Sequence, residues 1–116
     1  MKSQELILVR FYKTDSGSEP VRKWLRDVVR EDERKIIGKH IKIVQLGWPV
    51  GMPLVESFGD GLWQIRSILP TRIARVFFMF HNSEILLLHG FIKKTKKTPG
   101  VDLKLARKRK NCFKKG

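Results

Sequence analysis

"TRIARVFFMFHNSEILLLHGFI", residues 71–92, holds two runs of β-branched, aromatic and aliphatic residues separated by His81 and Asn82. A pair of such runs with so short a joint predicts an antiparallel β-hairpin. Upstream, "LWQIRSI" (62–68) is a third strand, joined to the second across "LPT", so the three form a meander. Side chains alternate between the two faces of a strand. Arg75 therefore shares a face with Ile73, Phe77 and Met79, and Arg72 shares the other with Ala74, Val76, Phe78 and Phe80. By the same rule Arg66 goes with Gln64, and Trp63 with Ile65. Arginines in the middle of a buried sheet are uncommon, and two on neighbouring strands repel unless something negative lies between them. Arg66 and Arg75 either hold such a group, a phosphate being the natural fit for a guanidinium fork, or face solvent, or pair with Glu56, Asp60 or Glu84.

Working outward, "ELILVRFYK" (5–13) reads as a first strand that ends at the turn-forming "TDSGSEP". Val21, Trp24, Leu25 and Val28 fall at i, i+3, i+4 and i+7, the apolar stripe of a helix starting near 18–20. A second helix follows at once. "EDERKIIGKHIKIVQLG" (31–47) opens with three acids that suit the positive end of a helix dipole, carries Ile37, Ile41 and Val44 as its stripe, and closes at Gly47. The short joint makes the two helices an antiparallel hairpin. "GWPVGMPLVESFGDG" (47–61) is broken by glycine and proline and reads as loop with a short extended piece. After the meander, Thr98 is placed as an N-cap and Pro99 at the first helical position of a basic helix, "PGVDLKLARKRKNCF" (99–113). The expected architecture is one α+β domain over residues 1–116: strand, helical hairpin, antiparallel meander, basic terminal helix. Its two layers bury one sheet face under the hairpin and leave the other partly open.

The charge marks the class of partner. In 116 residues, 25 Lys and Arg oppose 11 Asp and Glu, a net charge of +14, which points to a polyanion such as nucleic acid, an anionic membrane or an acidic protein. The excess is concentrated. Residues 1–92 hold 14 basic and 10 acidic side chains, whereas residues 93–116 hold 11 basic and 1 acidic. Lys93, Lys94, Lys96 and Lys97 crowd the exit of the last strand; they form either a solvated loop or, with the arginines, one edge of a site. Lys104, Arg107, Lys108, Arg109 and Lys110 would bind phosphates without reading sequence. His89 is a general acid or base by its ordinary pKa, or else a packed core histidine. His40 and His81 read as structural or solvated. Three scattered histidines and the lone Cys112 build no metal site, and no cofactor motif or phosphate-binding glycine loop is present. One cysteine fits a reducing compartment. The N-terminal stretch breaks its apolar run at Arg10 and no run is long enough to span a membrane, so a cytoplasmic protein is expected.

"LWQIRS", "ARVFFMF" and above all "ILLLHGFIKKTKKTP" (85–99) resemble the RelE/ParE toxin superfamily, in particular its phage-derived HigB-like branch. The resemblance spans nearly the whole chain and implies the RelE/ParE-like two-layer fold. It also implies a toxin of a type II toxin–antitoxin system, held inactive by a helix-turn-helix antitoxin (HigA-like) and touching DNA only through that complex. The implied activity is cleavage of mRNA in the ribosomal A site, without metal, by attack of the 2′-hydroxyl on the adjacent phosphate. Arg66 and Arg75 would then stabilise the charge of the transition state. Lys93, Lys94 or Lys97 would carry a proton, with His89 in reserve, and Arg72, Lys96 and the tail cations would hold RNA. The chain departs from the Tyr-Arg-Val-Phe-Tyr frequent among such toxins, having Ala74 and Phe78 there and Tyr12 as its only tyrosine. Two other readings stay open: a ParE-like gyrase poison that performs no chemistry, and an RNA-binding module without activity.

Overall fold

The structure, a computed structural model, describes residues 7–93 and 100–115. Its elements run β1 (Leu8–Phe11), α1 (Pro20–Asp27), α2 (Glu31–Gly47), β2 (Val55–Ser57), β3 (Trp63–Ile68), β4 (Ile73–His81), β5 (Glu84–Lys93) and α3 (Gly100–Lys115). The five strands make one sheet in the order β1-β5-β4-β3-β2. All neighbours are antiparallel except β1, which returns to pair parallel with β5. The meander is thus as the alternation predicts, and the extended piece in the glycine- and proline-rich segment is β2, a three-residue edge strand. Asn82 and Ser83 turn β4 into β5 with φ of 50° and 61°, the two left-handed positions that a two-residue hairpin loop needs to match the strand twist.

The hairpin helices cover one face. Val21 on α1 and Ile37 and Val44 on α2 are buried against Val55, Ile65, Ala74, Val76, Phe78, Ile85 and Leu87 of the sheet, and Trp24, Leu25 and Ile41 pack at the margin. Each such side chain contributes about 1.5–3 kcal/mol when fully buried, so this face holds most of the fold together. Val28 does not join it. α1 stops at Asp27, Val28 caps it and lies exposed, and Val29 turns inward instead. The helical period cannot be carried one residue past the end of the helix. Arg34 closes that end by donating from Nε to Leu25 O (2.7 Å) and from Nη2 to Arg26 O and Val29 O (3.2 Å each), supplying partners for carbonyls left open by the last turn. At Gly90 the packing leaves no room for a side chain, because a Cβ there would lie 2.5 Å from Trp24 Cε3.

The second face is covered in part by α3. Ala106 and Leu103 sit on Leu62, Phe77, Met79, Leu86, Leu88 and Phe91. β5 carries one more residue than β4 between the pairs Phe77↔His89 and Phe78↔Leu87. This bulge places both Leu88 and His89 on the α3 side. Among the described residues, no helix is long and apolar enough to cross a membrane. Thr98 and Pro99, read as the start of the terminal helix, lie outside the described residues.

Candidate functional site

Arg66 and Arg75 are direct partners across the β3–β4 ladder, and the neighbouring pairs are Gln64↔Phe77 and Ile68↔Ile73. On the other side of β4, Arg75 faces Phe91 and Ile73 faces Lys93. On the outer side of β3, Glu56 faces Gln64. With Ile65 and Val76 buried under the hairpin helices, strict alternation puts Glu56, Gln64, Arg66, Arg75, Phe91 and Lys93 together on the α3 side. The convergence of β3, β4 and β5 cations that the sequence left open is a fact of register.

The electrostatics of this cluster are unbalanced. Arg75 is 5% exposed and Gln64 wholly buried. Arg75 donates from Nη1 to Gln64 Oε1, and its nearest carboxylate, Glu56, stands 3.7 Å away and half in solvent. Among the described residues, three buried donors have no protein acceptor: Nε of Arg66, Nε of Arg75 and Nε2 of Gln64. Burial and then the charge of Arg66 pull the Arg75 guanidinium below its ordinary value, with Glu56 opposing. Burial, Arg75 and Arg66 likewise lower the Lys93 ammonium, again against Glu56. An orphaned buried donor costs about 1–3 kcal/mol, and three of them lie together here with Lys93 on the same face, so this part of the sheet is electropositive and short of acceptors. Arg66 and Lys93, which are partly exposed, are the members of the cluster that an anion such as phosphate can reach from solvent.

Beside this cluster the bulge aims His89 at α3, where Nε2 lies 2.6 Å from Asp102 Oδ1. The imidazole stacks on Phe91 (5.6 Å between centroids, 16° between planes), and Phe91 stacks on Phe77 (5.9 Å, 23°). A histidine held by a carboxylate at one nitrogen is oriented, and its other nitrogen is left for proton transfer. Asp102 escaped the sequence reading. The signal for it was there, as the single acid among residues 93–116. Gln64 was placed on the right face but given no role.

The remaining candidates divide. Arg72 is on the opposite face, committed to the buried Glu33 by Nε–Oε2 at 2.7 Å and Nη2–Oε1 at 2.6 Å. On α3, Lys104 and Lys108 are exposed. The other three cations fasten the helix: Arg107 donates to Phe58 O (2.7 Å), Arg109 to Leu88 O (2.8 Å), and Lys110, 2% exposed, lies 3.9 Å from Asp60 Oδ2. Burial lowers Arg109 from its ordinary value, with Tyr12 opposing. Its guanidinium sits 5.6 Å over the Tyr12 ring. A run that looks like one electrostatic stripe is thus split by helical geometry into two solvent-facing lysines and three cations facing the body. Lys94, Lys96 and Lys97 lie outside the described residues.

Residues 23–111 match a family model described as phage derived protein Gp49-like (DUF891). The matched span runs from α1 through most of α3 and contains every described member of the cluster. No curated protein matches the chain.

Proposed function

The chain belongs to the phage-derived Gp49-like family, and from that premise we propose that it is the toxin of a toxin–antitoxin system, an endoribonuclease of HigB-like type that cuts mRNA on the ribosome. The observation that carries this reading is the set of three acceptorless buried donors on Gln64, Arg66 and Arg75, in a chain of net charge +14. The partly exposed Arg66 and Lys93 offer the positive charge of this cluster to a phosphodiester, and to the more highly charged pentacoordinate state through which it is cleaved.

In the reaction the ribose 2′-oxygen forms a bond to the adjacent phosphorus as the bond to the 5′-oxygen breaks. The products are a 2′,3′-cyclic phosphate and a free 5′-hydroxyl. Arg66 and Arg75 stabilise the charge that grows on the phosphoryl oxygens; removing one such donor typically costs about 10²–10³ in rate. One group must take the 2′-hydroxyl proton and another must give a proton to the departing 5′-oxygen. Lys93, with its ammonium weakened by burial and two guanidiniums, and His89, oriented by Asp102, are the two groups beside the arginines suited to those roles. Exposed Lys104 and Lys108 extend the positive surface along α3 for the RNA backbone. The partners that go with this function are mRNA in the ribosomal A site and a helix-turn-helix antitoxin, both in the cytoplasm.

Primer extension on a defined mRNA, with the protein added to a translating extract and to the same RNA without ribosomes, tests the proposal. Cuts in reading frame that require ribosomes, and vanish with Arg75→Met, are the expected result. Intact transcripts at a dose that arrests growth would sink the nuclease and leave a toxin that acts by binding, such as a gyrase poison.

A further inference from the structure

A cavity of about 230 Å³ opens beside the cation cluster, lined by His40, Pro53, Leu54, Arg66 and Ile68. It lies where β3 runs on past the short edge strand β2, with the Arg66 N–H donating to Leu54 O at 2.8 Å. Arg66 is the common wall: its Nε is one of the acceptorless donors, and its side chain also borders this cavity. The other walls are apolar and open to solvent, Ile68 being 66% exposed. One polar ring completes the lining. His40 comes from α2 and is fixed through Nδ1 to the buried Ser67 Oγ at 2.7 Å, so Nε2 is the ring nitrogen left for a ligand. Burial and the neighbouring Lys39 lower its pKa, which favours the neutral imidazole, a ring able to exchange hydrogen bonds with a base edge.

We infer that this cavity is a nucleoside subsite, taking the base of the nucleotide whose phosphate sits on Arg66 and Arg75. Three features carry the assignment. The cavity, about 230 Å³, is smaller than the roughly 300–1,000 Å³ of sites for drug-sized ligands, a size that suits one base. Pro53, Leu54 and Ile68 offer apolar surface to a base face, a contact that does not read the base's polar edge, while His40 supplies a single polar group able to tell the bases apart. It adjoins a phosphate seat through a shared side chain, as a base adjoins its own phosphate. The inference rests on the reading of the cluster as a phosphate site and adds to it the element that gives sequence preference.

Calorimetric titration of the purified full chain with inorganic phosphate, and with each of the four nucleoside 3′-monophosphates, tests it. At least one nucleotide is expected to bind about tenfold or more tightly than phosphate, the scale of burying part of a base face on apolar side chains. Leu54→Trp, which fills the cavity, should erase that gain while the protein still binds phosphate. His40→Gln, a smaller disturbance, should change the order of preference among the four. Equal affinity for phosphate and all four nucleotides overturns the subsite and leaves the phosphate seat standing. So does a gain that survives both substitutions unchanged. Absence of binding by phosphate and nucleotides alike overturns the seat itself, and the subsite with it.

Discussion

Arg72 and Arg75 are three residues apart in one strand region and serve opposite faces of the same sheet. On the hairpin face, Arg72 meets Glu33 through two hydrogen bonds, and Glu33 also accepts from the Arg30 N–H at 3.0 Å, closing the first turn of α2. The guanidinium, the helix end and the buried carboxylate satisfy one another. On the α3 face, Arg75 is more deeply buried, has only a distant half-exposed carboxylate and keeps an unsatisfied Nε beside those of Arg66 and Gln64. One face is closed in its polar accounts and tightly packed; the other is left open at considerable cost. Unsatisfied buried groups of that kind call for an explanation, and under the proposed function it is the substrate phosphate.

Substituting each arginine by a residue of similar length and no charge separates the two. Arg75→Met is expected to lower cleavage about 10²–10³-fold while changing thermal stability by about 1 kcal/mol or less, because removing a desolvated charge offsets the hydrogen bond lost to Gln64. A loss of stability comparable to the loss of activity would show that Arg75 is structural and break the contrast. The tight face is probed next by Gly90→Ala, whose Cβ would run into the Trp24 ring; overpacking of this kind costs about 1–3 kcal/mol, read from denaturant midpoints. Arg72→Met should lose about 2 kcal/mol by stranding Glu33 with cleavage per folded molecule intact.

The Glu33–Arg72 pair also has a pH signature. Hydrogen bonding from Arg72, with help from the Arg30 N–H and against the burial that opposes it, lowers Glu33 from 4.5 to about 2. A carboxyl whose folded pKa is depressed stabilises the fold above its unfolded pKa and loses that contribution as pH falls through the folded one. Stability should therefore decline as pH drops from 4.5 toward 2, and that decline should flatten in Arg72→Met. The smallest effect concerns the open face. Inorganic phosphate at about ten times its dissociation constant adds about 1.4 kcal/mol, a shift of a few degrees in Tm that chloride at equal ionic strength does not give and Arg75→Met abolishes.

Much of this was readable in advance where a single local rule decides. Alternation put Arg66 with Gln64 on one strand, and Arg75 on the face opposite to Arg72 on the next, because a strand has a period of two whatever surrounds it; that Arg66 and Arg75 share a side came only with the register. The stripe of α2 was readable because Ile37 and Val44 recur at helical spacing. What failed to be read had no local rule. Val28 was assigned to the core on a period that stopped one residue earlier. The bulge that turns His89 toward Asp102 depends on a mismatch between two strands. Lys110 looked like surface charge until α3 was docked with it facing inward.

By itself, then, the amino-acid order determined the elements, the faces of the strands, the mixed α+β class and the concentration of positive charge, all consequences of periodicity and composition. Tertiary structure alone decided which cations have partners. The Glu33–Arg72 bond joins residues 39 positions apart and the Arg107–Phe58 bond residues 49 apart, and burial, which turns an unpaired donor from harmless to expensive, exists only once the layers have closed. The distinction between an arginine matched to a carboxylate and one left short of acceptors is created at that step.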